Sequence, residues 1–250
     1  MPDHKSSTRL YYPGTLAAGA PCALPPAQAH HATRVLRLRT GDAVTLFNGD
    51  GAEYPAVIAR VARDRVTLDV GAGVEIDREA PLAVTLAQAV SSGDRMDYTV
   101  QKAVELGVAA LQPLTSKRSV VRLDAERGAR RMQHWRMVAT GACEQCGRNR
   151  VPPVAPVAPL LEWLARPSAR PEMALRLLLS PTAPAGLRDL RAPGGAVVLL
   201  AGPEGGLAPE EERAAVQAGY VPVRLGPRIL RTETAAVAAL AAMQALWGDF

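Results

Sequence analysis

The sequence predicts a two-part chain: a small β-barrel, then an α/β domain built on a mostly parallel sheet. Three observations point there. Residues 34–70 alternate apolar and polar side chains in short runs, broken at Thr40-Gly41-Asp42, Asn48-Gly49-Asp50-Gly51 and Arg63-Asp64-Arg65, as short strands with tight turns require. After about residue 80 the pattern becomes apolar runs alternating with segments of helical period, which implies parallel strands covered by helices. Finally, two glycine-containing loops, GPEGGL (202–207) and LGP (225–227), each stand between a strand-like run and a helix.

Taken in order, the elements divide the chain into residues 1–72, a linker at 73–81 and a second domain at 82–250. LAVTLAQAV (82–90) and VAALQPL (108–114) are predicted strands. Between them, residues 94–107 form an amphipathic helix with Met96, Val100, Ala103 and Val104 on one face and Gly107 as its stop. A long helix follows from about Asp124 to Cys146, with Trp135, Ala139, Ala142 and Cys143 at helical spacing and Arg127, Arg130, Arg131 and Arg136 on the polar side. Strands are expected near 173–179, 196–201 and 220–225, with helices at 208–218 and 232–247. The last helix carries no charge from Ala235 to Gly248, so it must be covered on every side, in the core or between subunits. Thr232 is placed as its N-cap.

Composition narrows the function classes. Hydrophobic residues make up 48% of the chain, too many for a disordered protein. The amino-terminal residues show no apolar stretch of signal-peptide length and no run is long enough to span a membrane, so neither secretion nor a membrane partner is expected. Three cysteines (Cys22, Cys143, Cys146) suit a reducing compartment, which predicts a cytoplasmic protein. Residues 112–150 hold nine basic and three acidic side chains, more than the whole net charge of +5. Concentrated like this, the charge suggests a polyanion, nucleic acid first; a solvated helix face is the other reading. Arg34, Arg37 and Arg39 ahead of the first strands are further candidates for phosphate contacts.

Several motifs fail as sites. GAGVEI (71–76) lacks the third glycine and the following helix of a dinucleotide fingerprint. CEQC (143–146) is a single pair on an apolar helix face, so buried structural cysteines are expected and no metal centre. GPEGGL is not a phosphate loop, since no lysine occurs after Lys117 and Glu210, Glu211 and Glu212 open the next helix. The loop suits a neutral or cationic ligand approached by backbone, or else is a tight turn with no ligand. With the LGP loop beside it, at the carboxyl ends of parallel strands, it outlines a crevice.

Together GPEGGL, LGPRILRTETA (225–235), ACEQCGRNR (142–150), QKAVELGV (101–108) and RVLRLRTGD (34–42) closely resemble the bacterial 16S ribosomal RNA uracil-N3 methyltransferases of the RsmE family, over nearly the whole chain. The resemblance implies a PUA-like β-barrel followed by a SPOUT-type, trefoil-knotted α/β domain, a homodimer, and S-adenosylmethionine bound in the knot. It implies methyl transfer to N3 of a uridine, position 1498 in the usual numbering, in the 16S RNA of the 30S subunit. Leu200, Gly202, Pro203, Glu204, Gly205, Gly206, Leu225, Gly226, Ile229, Leu230 and Thr232 would surround the cofactor.

Uracil N3 must lose a proton, so the chemistry needs an acceptor and a cation for the resulting anion; Glu204 and Arg231 are the candidates. The expected RNA contacts are Arg34, Arg37, Arg39, Arg118, Arg127, Arg130, Arg131, Arg148 and Arg150. The competing class is a non-catalytic RNA-binding assembly factor with a vestigial pocket, which would need the basic surface and not the glycine loops.

Overall fold

The computed structural model describes residues 8–62, 65–119, 124–166 and 174–250. The turn expected at 63–65 lies mostly outside them. The chain divides into two compact units, Met1–Glu79 with Cys143–Val151, and Ala80–Ala142 with Pro152–Phe250.

The first unit is a six-stranded sheet: β1 (Thr8–Tyr11), β2 (Pro21–Ala23), β3 (Ala43–Phe47), β4 (Ala52–Ala62), β5 (Arg65–Val70) and β6 (Val74–Glu75). Its order is β1-β3-β4-β5-β2, with β6 also on β4. Only the β1–β3 pairing is parallel. Alternation fixes its inner face: Leu10, Val44, Leu46, Ala56, Ile58, Val66 and Leu68 form one buried cluster. The expected linker therefore contributes a strand to this sheet.

RVLRLR is not a strand. The short helix α1 (Pro26–His30) continues into a π-helical turn, His31–Val35, because Ala29 and Ala32 pack into the core there. Nor did the sequence reveal that Cys143–Val151 joins this unit. Within it Arg148 clasps Glu79 through Nε at 3.1 Å, Asn149 Nδ2 donates to the Ile76 carbonyl at 2.8 Å, and Arg9 donates to Asn149 Oδ1 at 2.7 Å.

The second unit is a parallel six-stranded sheet with β7 (Val84–Ala89), β8 (Ala110–Thr115), β9 (Ala158–Pro159), β10 (Leu175–Leu179), β11 (Val197–Ala201) and β12 (Val221–Val223), in the order β12-β10-β11-β7-β8-β9. All five residues of β11 are buried, as a strand covered on both faces must be.

Helices α2 (Asp94–Glu105), α4 (Leu160–Leu164), α5 (Pro209–Gln217) and α6 (Thr232–Trp247) pack on it, and α3 (Ala125–Cys146) runs on into the first unit. On α2, Met96, Val100, Ala103 and Val104 are buried as the periodicity predicts. Trp135 of α3 is buried and donates to Asp97 of α2 at 3.1 Å. α6 buries Ala236, Ala239, Leu240, Met243 and Gln244, while Leu246 remains 43% exposed in the single chain.

Candidate functional site

A cleft of about 580 Å³ opens at the carboxyl ends of β10, β11 and β12. That is within the range of small-molecule sites. The two glycine loops line one cleft as expected, but the strands that lead into them are not neighbours, because β10 lies between β11 and β12. The chain leaving β12 crosses that gap. Arg224 N donates to the Ala185 carbonyl at 2.9 Å, and the segment then runs to Thr232 at the start of α6.

Thr232 is where the loops meet. Its Oγ1 donates to the Gly202 carbonyl at 2.6 Å and accepts from Gln88 Nε2 at 3.1 Å; Gln88 Nε2 also lies 3.2 Å from the same carbonyl. The expected N-cap role falls to Arg231, whose side chain makes no capping bond. Thr232 instead ties GPEGGL, the end of β7 and α6 together at one buried point.

The GPEGGL backbone needs its glycines for two distinct reasons. A Cβ on Gly202 would sit 3.1 Å from Leu207 N and 3.2 Å from the Gly206 carbonyl carbon, both backbone. Gly206 has φ +68°, in the left-handed region that side-chain-bearing residues avoid. Arg118 Nη1 braces the loop from outside, donating to the carbonyls of Gly205 at 3.1 Å and Leu207 at 3.2 Å. The side chain remains exposed, and bracing the loop through Nη1 leaves its expected RNA contact open.

Glu204 is held by the turn after β7. Its Oε1 accepts from Ser92 N at 2.8 Å, Ser92 Oγ at 2.7 Å and Arg95 Nη1 at 2.9 Å. Burial alone would raise its pKa, but the Ser92 amide and hydroxyl, its own amide and Arg95 outweigh that and hold it at about 2. Such a carboxylate is a poor proton acceptor near neutral pH, so the geometry makes Glu204 an anchor of the loop in place of the base expected from the sequence. The acids that open α5 are engaged too. Glu211 turns inward to accept from Ala208 N and Lys117 N, both at 2.8 Å, and Glu210 pairs with Lys117.

The structure brings Gly202, Pro203, Glu204, Gly205, Gly206, Leu225, Gly226, Ile229, Leu230, Arg231 and Thr232 to the cleft. Leu200 is the exception: it is fully buried inside β11, facing the core. Arg231 is exposed at the rim.

The residues missed are Gln88, Ser92, Arg95, Glu233 and, at the carboxyl end of β10, Leu179 and the following Ser180. A glutamine inside the apolar run LAVTLAQAV was the available signal for Gln88. The β10 residues had none, since strand order is not written in one sequence.

Of the expected RNA contacts, Arg34, Arg37 and Arg39 are exposed on the first unit, and Arg37 adopts φ +57°, rare outside glycine. Arg127, Arg130 and Arg131 are exposed on α3, where Arg127 pairs with Asp124 and Arg130 with Glu126. Arg150 is exposed beside Gly51. Arg148 is corrected: it is 4% exposed and committed to Glu79, so it stitches the first unit and does not meet a phosphate.

Cys143 is buried and its thiol is pushed up to about 12 by that burial, which makes it inert. Among the described residues no group of His, Cys, Asp or Glu is arranged to hold a metal ion, and no helix is long and apolar enough to cross a membrane.

Comparison with known proteins agrees with this architecture. Residues 78–244 match the family described as RNA methyltransferase domain, and residues 24–71 the RNA methyltransferase PUA domain. The chain is 36% identical to the ribosomal RNA small subunit methyltransferase E of Synechocystis, over 89% of this chain and 72% of that one. To the protein of that name from Bacillus subtilis it is 32% identical over 86% of each. Among solved structures, the methyltransferase E of Neisseria gonorrhoeae bound to S-adenosyl methionine superposes with a TM-score of 0.89 at 44% identity, covering 98% of this chain and 99% of the other. A putative methyltransferase from Legionella pneumophila with bound cofactor SAM gives 0.93 at 40% identity, over 98% and 99%. The chain belongs to the ribosomal RNA small subunit methyltransferase E family of RNA methyltransferases.

Proposed function

We propose that this protein transfers a methyl group from S-adenosylmethionine to N3 of a uridine in 16S ribosomal RNA. The observation that carries the reading is the cleft itself: a pocket of about 580 Å³ whose glycine-rich wall would crowd a Cβ at Gly202 against the backbone of Gly206 and Leu207. Two relatives alike over nearly the whole chain hold that cofactor.

Bound there, S-adenosylmethionine supplies an activated methyl on a sulfonium. Gly202, Gly205, Gly206 and Gly226 offer backbone to it, while Leu225, Ile229 and Leu230 offer apolar contact. Thr232 and Glu204 keep the two loops in register. Arg231, exposed at the cleft rim, is placed to stabilise the anion that uracil becomes when N3 loses its proton. That proton goes to an acceptor other than Glu204, whose carboxylate stays ionised down to about pH 2.

The chain crossing from β12 past β10 to the ends of β11 and β7 supports a SPOUT-type trefoil thread. The first unit then serves as a PUA-like barrel that grips RNA through Arg34, Arg37 and Arg39, with Arg127, Arg130, Arg131 and Arg150 adding charge. A homodimer is supported by α6, uncharged from Ala235 onward, which leaves Leu246 43% and the adjoining Phe250 67% exposed in one chain. The small ribosomal subunit is the partner and the cytoplasm the location.

Calorimetry separates this reading from an RNA-binding assembly factor with a vestigial pocket: S-adenosylmethionine should bind in one-to-one ratio per chain, and absence of binding sinks the enzyme reading.

A further inference from the structure

Several charged side chains around the cleft are held by hydrogen bonds within the protein. Arg118 is engaged by two loop carbonyls, Glu204 Oε1 takes three donors, and Arg224 Nη1 reaches the Ala183 carbonyl at 3.2 Å. Glu233 is different. It lines the cleft from the first turn of α6, immediately after Thr232, and its side chain is 16% exposed. Its Oε1 lies 3.9 Å from Arg95 Nε, while its Oε2 is buried with no hydrogen-bond partner. A buried carboxylate oxygen without a donor is costly, and a site that retains one has a use for it. The amino end of α6 supplies no donor to that oxygen.

We infer that Glu233 is the receptor for the α-ammonium group of the cofactor's amino-acid end; the inference rests on the reading that this cleft holds S-adenosylmethionine. The chemistry selects that group. The orphaned oxygen needs an N–H or O–H donor, and the buried negative charge needs a positive partner. The sulfonium is positive but has no hydrogen to give. The ribose hydroxyls and the adenine amino group have hydrogens but are neutral. Only the α-ammonium meets both needs, and a charge-assisted bond of this kind is among the stronger ones available to a small ligand. Glu233 would thereby distinguish S-adenosylmethionine from adenosine-containing fragments that lack the amino acid.

The test is calorimetry of the full-length protein and Glu233→Gln with two ligands, S-adenosylmethionine and 5′-methylthioadenosine, which lacks the amino-acid end. Removing the charge should weaken S-adenosylmethionine about tenfold or more and leave methylthioadenosine within about twofold, the latter also showing an intact cleft. Equal weakening of both ligands, or unchanged S-adenosylmethionine affinity with a loss of turnover, overturns the inference, the second outcome placing Glu233 on the RNA side. A further measurement needs no variant: the deaminated analogue of S-adenosylmethionine should bind the wild-type protein about tenfold more weakly than the parent, and equal affinity overturns the assignment. If the wild type binds neither of the two calorimetric ligands, the cofactor reading fails with it, a result distinct from those above.

Discussion

Thr232 Oγ1 donates to the carbonyl oxygen of Gly202 across 2.6 Å, joining the start of the last helix to a loop thirty residues earlier in the chain. Gln88, at the end of β7, bonds to both partners, so three separate segments converge on one buried hydroxyl.

Thr232→Val keeps the shape and removes the hydroxyl. It should lower unfolding free energy by about 1–2 kcal/mol, because the Gly202 carbonyl and the Gln88 amide each lose a bond. S-adenosylmethionine affinity should fall with it, while Thr232→Ser restores both. Denaturant unfolding and calorimetry on the two variants check this.

Glycine substitutions in the loop should separate two effects. Gly202→Ala places a Cβ 3.1 Å from Leu207 N and 3.2 Å from the Gly206 carbonyl carbon, so the loop backbone must shift by a few tenths of an ångström and cofactor affinity should fall about tenfold with the far-ultraviolet circular dichroism unchanged. Gly206→Val meets open space and instead strains a φ of +68°, costing about 1–2 kcal/mol of loop stability. Normal affinity in both variants removes this loop from the site.

Glu204 gives a pH signature. Its folded-state pKa of about 2 lies below the ordinary 4.5, so ionised Glu204 stabilises the fold fully at pH well above 4.5, and the contribution drains away as pH falls toward 2. Melting temperatures of the wild type and Glu204→Gln should differ by a constant amount near neutrality and converge in acid. Parallel curves down to the acid limit would contradict the anchoring role.

Much of this was legible in the sequence, and the gaps have physical causes. β7, α2, α3, β11 and α6 announce themselves because each carries a long apolar run or stripe that only one period fits. RVLRLR misleads because its alternation mimics a strand while Ala29 and Ala32, just upstream, hold the backbone in a π-helical turn. Leu179 and Ser180 were missed because a sequence lists strands in order along the chain and not across the sheet. The sequence marks Glu204 as a proton acceptor without showing what holds its carboxyl low, because Ser92 and Arg95, its partners in space, lie more than a hundred residues away in sequence.

Replacing Arg127, Arg130 and Arg131 together by Ala should weaken RNA binding and reduce its salt dependence, by roughly one unit of log-log slope for every phosphate no longer neutralised. Cofactor affinity should not move. Arg127 and Arg130 also pair with Asp124 and Glu126 on the exposed helix surface, and such pairs contribute little to stability. An unmoved salt slope would assign these arginines to helix solvation and shift RNA binding to Arg34, Arg37, Arg39 and Arg150.

The most direct measurement maps methyl groups by mass on 16S RNA after incubating the purified protein and S-adenosylmethionine with small ribosomal subunits from cells lacking the gene. Methyl transfer to N3 of a single uridine is the predicted result, weakened in both Gly202→Ala and Thr232→Val. No transfer to 16S RNA, or a methyl found on a ribose or another base, would contradict the reading of the cleft.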